Sequence, residues 1–165
     1  MGAVEEFGIQ RSPNLTELPS GYFSGWIALK ELNIDTLDSW RSLPDFKDIS
    51  STLIELYASE NVFDTVSLAN IAILRSLTVL YLQETSIPWL PSTCPFQPEI
   101  YEINIMDSPT LDPCSCELQW LKMIQQEGGK VRVSSDLTCN GLSWSDTIPE
   151  ELHDECKAAT QSAGE

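Results

Sequence analysis

Basic residues are scarce in this chain: nine Lys and Arg stand against 25 Asp and Glu, a formal net charge of −16. That balance argues against nucleic acid and anionic membrane as partners, since both are held by cationic surfaces. Histidine is scarcer still, with His153 alone. Serine and cysteine nucleophiles need a base, and there is no second histidine to supply one; a Lys or carboxylate base stays open. His153 lies in Glu150-Glu-Leu-His-Asp-Glu-Cys156 with no partner at metal-ligand spacing and reads as part of a solvated acidic turn. There is no glycine-rich phosphate loop and no aspartate series with calcium-loop spacing. The expectation is a protein that is not an enzyme and carries no cofactor or metal. No apolar run approaches the roughly 20 residues that span a bilayer, so no direct membrane insertion is expected. The start, Met-Gly-Ala-Val-Glu-Glu, has neither the basic nor the apolar region of a signal peptide. By itself that points to the cytosol; the cysteines, below, point to an oxidising compartment.

What is present is a repeat. The pattern apolar-x-x-apolar-x-apolar occurs at Leu29/Leu32/Ile34, Leu53/Leu56/Ala58, Leu77/Leu80/Leu82 and Ile100/Ile103/Ile105, with starts 24, 24 and 23 residues apart. A degenerate copy, Val4/Phe7/Ile9, lies 25 residues upstream of the first. A regular period of this size means stacked units, none able to bury its own apolar face alone. Each copy supplies a short strand, expected near 4–9, 29–34, 53–58, 77–82 and 100–105, followed by a turn and an irregular return path. Leu18-Pro19 and Phe23 recur in part as Leu43-Pro44/Phe46 and Leu90-Pro91/Phe96. The stretch 88–98 carries four prolines and cannot be helical.

These residues resemble the extracellular leucine-rich-repeat family over residues 4 to about 108. The Asn usual after the strand appears only as Asn61; Leu37, Thr85 and Ser108 stand at its place elsewhere. Most of the asparagine ladder that bonds the turn backbone is therefore missing, and the convex side is expected to be mostly irregular. Next comes Ser108-Pro109-Thr-Leu-Asp-Pro-Cys114-Ser-Cys116-Glu-Leu118-Gln-Trp120-Leu121, then Cys139 and Cys156. This is similar to the C-terminal cysteine cap of that family, with Ser108 in place of Asn and two extra residues before Cys114. Cys-Ser-Cys-Glu-Leu-Gln-Trp-Leu is also similar to the cap of neurotrophin-receptor ectodomains.

The resemblance implies an α/β leucine-rich-repeat solenoid, with a short parallel sheet on its concave face and a disulfide-bonded helical cap. Repeats would occupy 1–108, the cap 109–157, and a disordered tail 158–165. Four cysteines allow three connectivities, and a bridge across one residue is strained, which leaves two. The resemblance implies Cys114–Cys139 and Cys116–Cys156. Zinc binding by the same residues is the competing reading. Cys94 is left over as a buried thiol, a bridge to a missing segment, or an intermolecular link. In the cap helix, Leu118, Leu121 and Ile124 form the apolar side with Trp120 or Met123 at its flank. Disulfides imply a secreted or cell-surface protein, and Asn14-Leu15-Thr16 is a glycosylation sequon expected in an exposed turn.

Residues between the inward apolar positions must face the concave surface. One column holds Glu6, Glu31, Glu55, Val79 and Glu102; the next holds Gly8, Asn33, Tyr57, Tyr81 and Asn104; after the strand come Arg11, Thr36, Glu60, Glu84 and Asp107. Carboxylates beside tyrosines suit Lys or Arg heads with apolar stems, so Glu31, Glu55, Tyr57, Glu60, Tyr81, Glu84, Tyr101 and Glu102 are the candidate partner-binding residues. The expected function is a receptor-type or secreted recognition module for a basic protein or peptide. The alternative is a structural component of a matrix or multi-subunit assembly. Its contacts would be made through the N-terminal edge, where no cysteine cap precedes Val4 and a partner chain or missing segment would cover the open layer.

Overall fold

The computed structural model describes residues 3–37, 39–63, 71–85, 100–108, 119–134, 138–139 and 142–143. Within them, three-residue strands stack in chain order: β1 Glu6–Gly8, β2 Glu31–Asn33, β3 Glu55–Tyr57, β4 Val79–Tyr81 and β5 Glu102–Asn104. The helix α1, Gln119–Gln126, then leads to β6, Lys130–Arg132, which continues the same parallel sheet as a sixth strand. Separately, β7 Thr138–Cys139 and β8 Leu142–Ser143 form an antiparallel pair. The architecture is a parallel β-solenoid with few helices, as the repeat requires and compatible with a leucine-rich-repeat-like protein. The strands fall at the centres of the five expected segments; β6 lies outside the repeat pattern.

Alternation puts the central apolar residue of each strand inside. Leu32, Leu56, Leu80 and Ile103 are fully buried, flanked by Leu29, Leu53, Leu77 and Ile100 before the strand and Ile34, Ala58, Leu82 and Ile105 after it. The N-terminal copy is weaker: Val4 is half exposed, and Phe7 and Ile9 are only partly covered. Aromatic side chains fill that layer instead, with Phe7 edge-on to Trp26 at 4.7 Å and Tyr22 beside both. On the convex side, the described return paths hold turns, the short 3-10 segment Lys47–Ile49 and a helical residue, Ile71.

Neighbouring copies are locked together by a repeated hydrogen-bond device. One carbonyl per copy accepts two N–H groups from the next: Glu5 O takes those of Lys30 and Glu31, Lys30 O those of Ile54 and Glu55, Ile54 O those of Thr78 and Val79, and Thr78 O those of Tyr101 and Glu102. After each of the first five strands the chain turns through a left-handed residue, Arg11, Thr36, Glu60, Glu84 or Asp107, at φ 50 to 58°. None is glycine or asparagine, and for the β-branched Thr36 this conformation is costly. Four of these turns are anchored to the next copy by backbone hydrogen bonds, with Arg11 N–H donating to Thr36 O, Thr36 N–H to Ser59 O, Glu60 N–H to Gln83 O and Glu84 N–H to Met106 O, at 2.9 to 3.2 Å.

Asn61 alone does what a full asparagine ladder would do. Its Oδ1 accepts the Leu37 N–H at 2.9 Å, and its Nδ2 donates to the carbonyls of Ile34, Ala58 and Ser59, all within 3.0 Å. At the equivalent position Thr85 donates to the Leu82 carbonyl, and among the described residues the buried Ser108 hydroxyl has no partner.

In α1, Trp120 and Leu121 are buried, Ile124 is partly covered and Met123 is half exposed. Trp120 thus belongs to the apolar side rather than its flank, and Leu118 lies outside the described residues. The helix ends in a Schellman turn: Gly128, at φ 91°, donates to Gln125 O, and Gly129 N–H donates to Ile124 O. A Cβ at Gly129 would come within 2.5 Å of the Ile124 side chain and 2.9 Å of the Tyr101 carbonyl. That closeness lets the chain pass from helix into β6. Cys94, Cys114, Cys116, Cys156, the proline-rich stretch 88–98, His153 and the tail lie outside the described residues, as does the side chain of Cys139.

Two substitutions test this architecture in chemical denaturation. Asn61→Ala strands the Leu37 N–H and the carbonyls of Ile34 and Ala58, while Ser59 O keeps the Thr36 N–H, and is expected to cost about 2–4 kcal/mol. Gly129→Ala forces backbone apart where α1 meets β6 and is expected to cost about 1–3 kcal/mol. Loss of less than half a kcal/mol in either would contradict the packing described.

Candidate functional site

The parallel register turns sequence columns into physical rows. Glu6 lies opposite Glu31, Glu31 opposite Glu55, Glu55 opposite Val79, Val79 opposite Glu102, and Glu102 opposite Lys130. Two residues on, Gly8, Asn33, Tyr57, Tyr81, Asn104 and Arg132 are aligned in the same way. Since side chains in a row point to the same face, both rows share the face opposite the buried Leu and Ile column.

At the β1–β3 end the row is three unbroken carboxylates. Glu31 sits between Glu6 and Glu55, and its carboxyl is held above the usual carboxylate range, first by desolvation, then by repulsion from Glu6 and from Glu55. Neighbours about 4.8 Å apart repel by roughly 1 kcal/mol in water, so the row is tolerated rather than favourable. Gly8 adds no side chain at its place in the second row. An open cleft of about 440 Å³ lies there, lined by Glu6, Phe7, Gly8, Gln10, Glu31 and Asn33. Gln10 closes one side by donating to Asn33 Oδ1 at 2.8 Å.

The centre is aromatic. Tyr57 and Tyr81 meet edge-to-face with ring centroids 5.1 Å apart, an arrangement worth about 0.5–1.5 kcal/mol beyond burial. Tyr57 donates its hydroxyl to Glu55 at 2.6 Å, and Tyr81 reaches across to Glu102 at 2.5 Å. Each phenol is held above its ordinary pKa, chiefly because losing the proton would break that hydrogen bond and set two anions together. Both hydroxyls are thus held by carboxylates of the sheet itself.

The β5–β6 end differs from the sequence reading. Glu102, expected as a free acidic contact, is largely buried and receives Tyr81 Oη, Lys130 Nζ at 3.1 Å and Arg132 Nη2 at 3.6 Å. Its carboxyl lies below the usual range, first through the Tyr81 hydrogen bond and then through Lys130 and Arg132, against desolvation. Tyr101, one residue before β5, is half exposed, with Lys130 Nζ 5.5 Å from its ring centre. Lys130 and Arg132 went unpredicted because β6 lacks the apolar-x-x-apolar-x-apolar pattern; the alternation Val131, Val133 was the only signal.

Glu60 and Glu84 are exposed on the left-handed turns that follow β3 and β4. They form a rim beyond the strand ends and are not in the two concave rows. Asn14 is exposed in a turn, where the sequon was expected. Among the described residues no cluster of acidic, histidine or cysteine side chains is arranged to hold a metal ion, and no helix is long and apolar enough to cross a membrane. No protein-family model matches the chain, and no curated protein matches it either.

The two shifted carboxyls give opposite dependences on pH. Glu31 binds its proton more tightly when folded, so its charged form weakens the fold at neutral pH and this is relieved as pH falls through its raised pKa. Glu102 binds its proton less tightly when folded, so it contributes stability above its unfolded pKa that is lost as pH falls through the lowered folded value. In thermal unfolding, Glu31→Gln is expected to be a few tenths of a kcal/mol more stable than the parent at pH 7, and Glu102→Gln about 1 kcal/mol less stable. Both differences should vanish on acidification. The same sign for both variants at pH 7 would refute the assignment.

Proposed function

We propose that this chain is an extracellular leucine-rich-repeat recognition module whose concave face binds a basic protein or peptide segment. The observation that carries the reading is the unbroken row Glu6, Glu31 and Glu55 beside the ordered pair Tyr57 and Tyr81. Carboxylates attract Lys or Arg heads, and the ring faces accept their apolar stems or cations. Of the acidic positions first considered, Glu31 and Glu55 remain available to a partner, and Glu102 is already neutralised by its own chain. Glu60 and Glu84 would act from the rim.

Secretion, the cap disulfides Cys114–Cys139 and Cys116–Cys156, and a glycan on Asn14 belong to the same proposal. They rest on the sequence: five cysteines, four of them spaced as in the family's cap. A structural role through the N-terminal edge is the second reading, favoured by the exposure of Val4 and Ile27 and the incomplete covering of Phe7, Tyr22 and Trp26 at that end.

An oligo-arginine peptide titrated against the protein at rising salt tests the first reading. Glu31→Lys with Glu55→Lys is expected to weaken binding about tenfold or more and to flatten its salt dependence. Unchanged affinity and slope would remove the concave face as the site. If assembly of the native protein persists in this variant and is lost on Ile27→Asp, the edge reading takes its place. Separately, alkylation without reduction should modify at most one of the five cysteines, and alkylation after reduction all five; four or five reactive thiols in the unreduced secreted protein would eliminate the cap disulfides.

A further inference from the structure

The concave face is not uniformly acidic. Glu6, Glu31 and Glu55 put three negative charges over β1 to β3, while over β5 and β6 two cations share the single carboxylate of Glu102. Within the concave rows, two positive charges less one leave that end with a surplus of +1, and Asp107 lies on the rim beyond β5. Both cationic side chains remain about half exposed, 55% for Lys130 and 54% for Arg132, so they are open to a second anion. Between the two ends lie Val79 and the tyrosine pair, a stretch without net charge.

We infer that the concave face takes a dipolar segment in a single orientation, its basic residues over β1–β3 and an acidic group over Lys130 and Arg132. This rests on the concave-face reading above and adds the partner's second charge and its spacing. Strands about 4.8 Å apart put β6 roughly 14 Å from β3 and 19 Å from β2, which an extended peptide covers in about four to six residues. The reversed placement sets the partner's acidic group against three carboxylates and its basic residues against two cations. Like-charge juxtaposition of this kind excludes wrong registers more strongly than the matched pairs add affinity. Tyr57 and Tyr81 lie under the uncharged spacer, where an aromatic or long aliphatic residue of the partner would rest.

Three blocked synthetic peptides test this on the native protein at low salt. The first carries two lysines and two glutamates separated by a spacer of about four residues; the second has glutamines in place of the glutamates; the third has the composition of the first with its charges alternating. The first is expected to bind roughly three- to tenfold more tightly than the second, and the third no more tightly than the second. Lys130→Gln with Arg132→Gln should abolish the difference between the first two while leaving the second peptide's affinity equal or higher. The comparison on the unmodified protein stands whether or not that variant folds. Equal binding of the first and second peptides would overturn the dipolar assignment and leave the acidic reading standing. No saturable binding of any of the three would remove both. Concentration-dependent self-association that the peptides fail to displace would assign the face to a second copy of the chain and overturn the inference.

Discussion

The parallel hydrogen-bond ladder between successive copies is the constraint on which the rest depends. Three-residue strands have no independent stability; each of β2 to β5 exists because one carbonyl of the preceding copy accepts two N–H groups at its start and because its central Leu or Ile is sealed between the central residues of the strands on either side. Once that ladder is in register, every side chain is placed by its number within the copy. The acidic row, the tyrosine pair and the buried column all follow from it. So do the left-handed turns, where Thr36, Glu60 and Glu84 accept an unfavourable φ while their N–H groups extend the ladder past the strand ends.

The same constraint sets like charges side by side. Glu31 cannot move away from Glu6 and Glu55 without breaking the register, so its electrostatic cost is fixed into the fold. At the other end the ladder brings two cations beside Glu102, and Tyr81 supplies a third donor. The outcome is a face with a charge gradient, its central aromatic residues held by hydrogen bonds. A rigid, pre-ordered surface loses little conformational entropy when a partner binds.

Much of this was legible in the primary structure. The periodicity of Leu32, Leu56, Leu80 and Ile103 named both the core and, by alternation, the concave rows, because a parallel solenoid with constant repeat length leaves little freedom of register. Asn61 was visible as the one retained ladder residue; that it would make two hydrogen bonds to the preceding copy and two within its own was not. The left-handed turns carried no signal, since Arg, Thr, Glu and Asp at those positions give no hint of a conformation imposed by neighbouring backbone. The burial of Trp120 in the apolar side of α1 was likewise ambiguous, because its place on the helix fitted either side or flank.

What the amino-acid order determined by itself was the repeat period, the inward positions and the acidic character of the outward ones. Those depend on local alternation and period, which are properties of the chain alone. The tertiary structure decided which of the acidic groups remain free. Lys130 and Arg132 are 28 and 30 residues from Glu102, beyond a helix and a glycine turn, and nothing local to either segment says that they will meet. Only the packing of α1 and the close passage at Gly129 bring β6 onto the sheet, and with it the cations that turn an acidic face into a dipolar one.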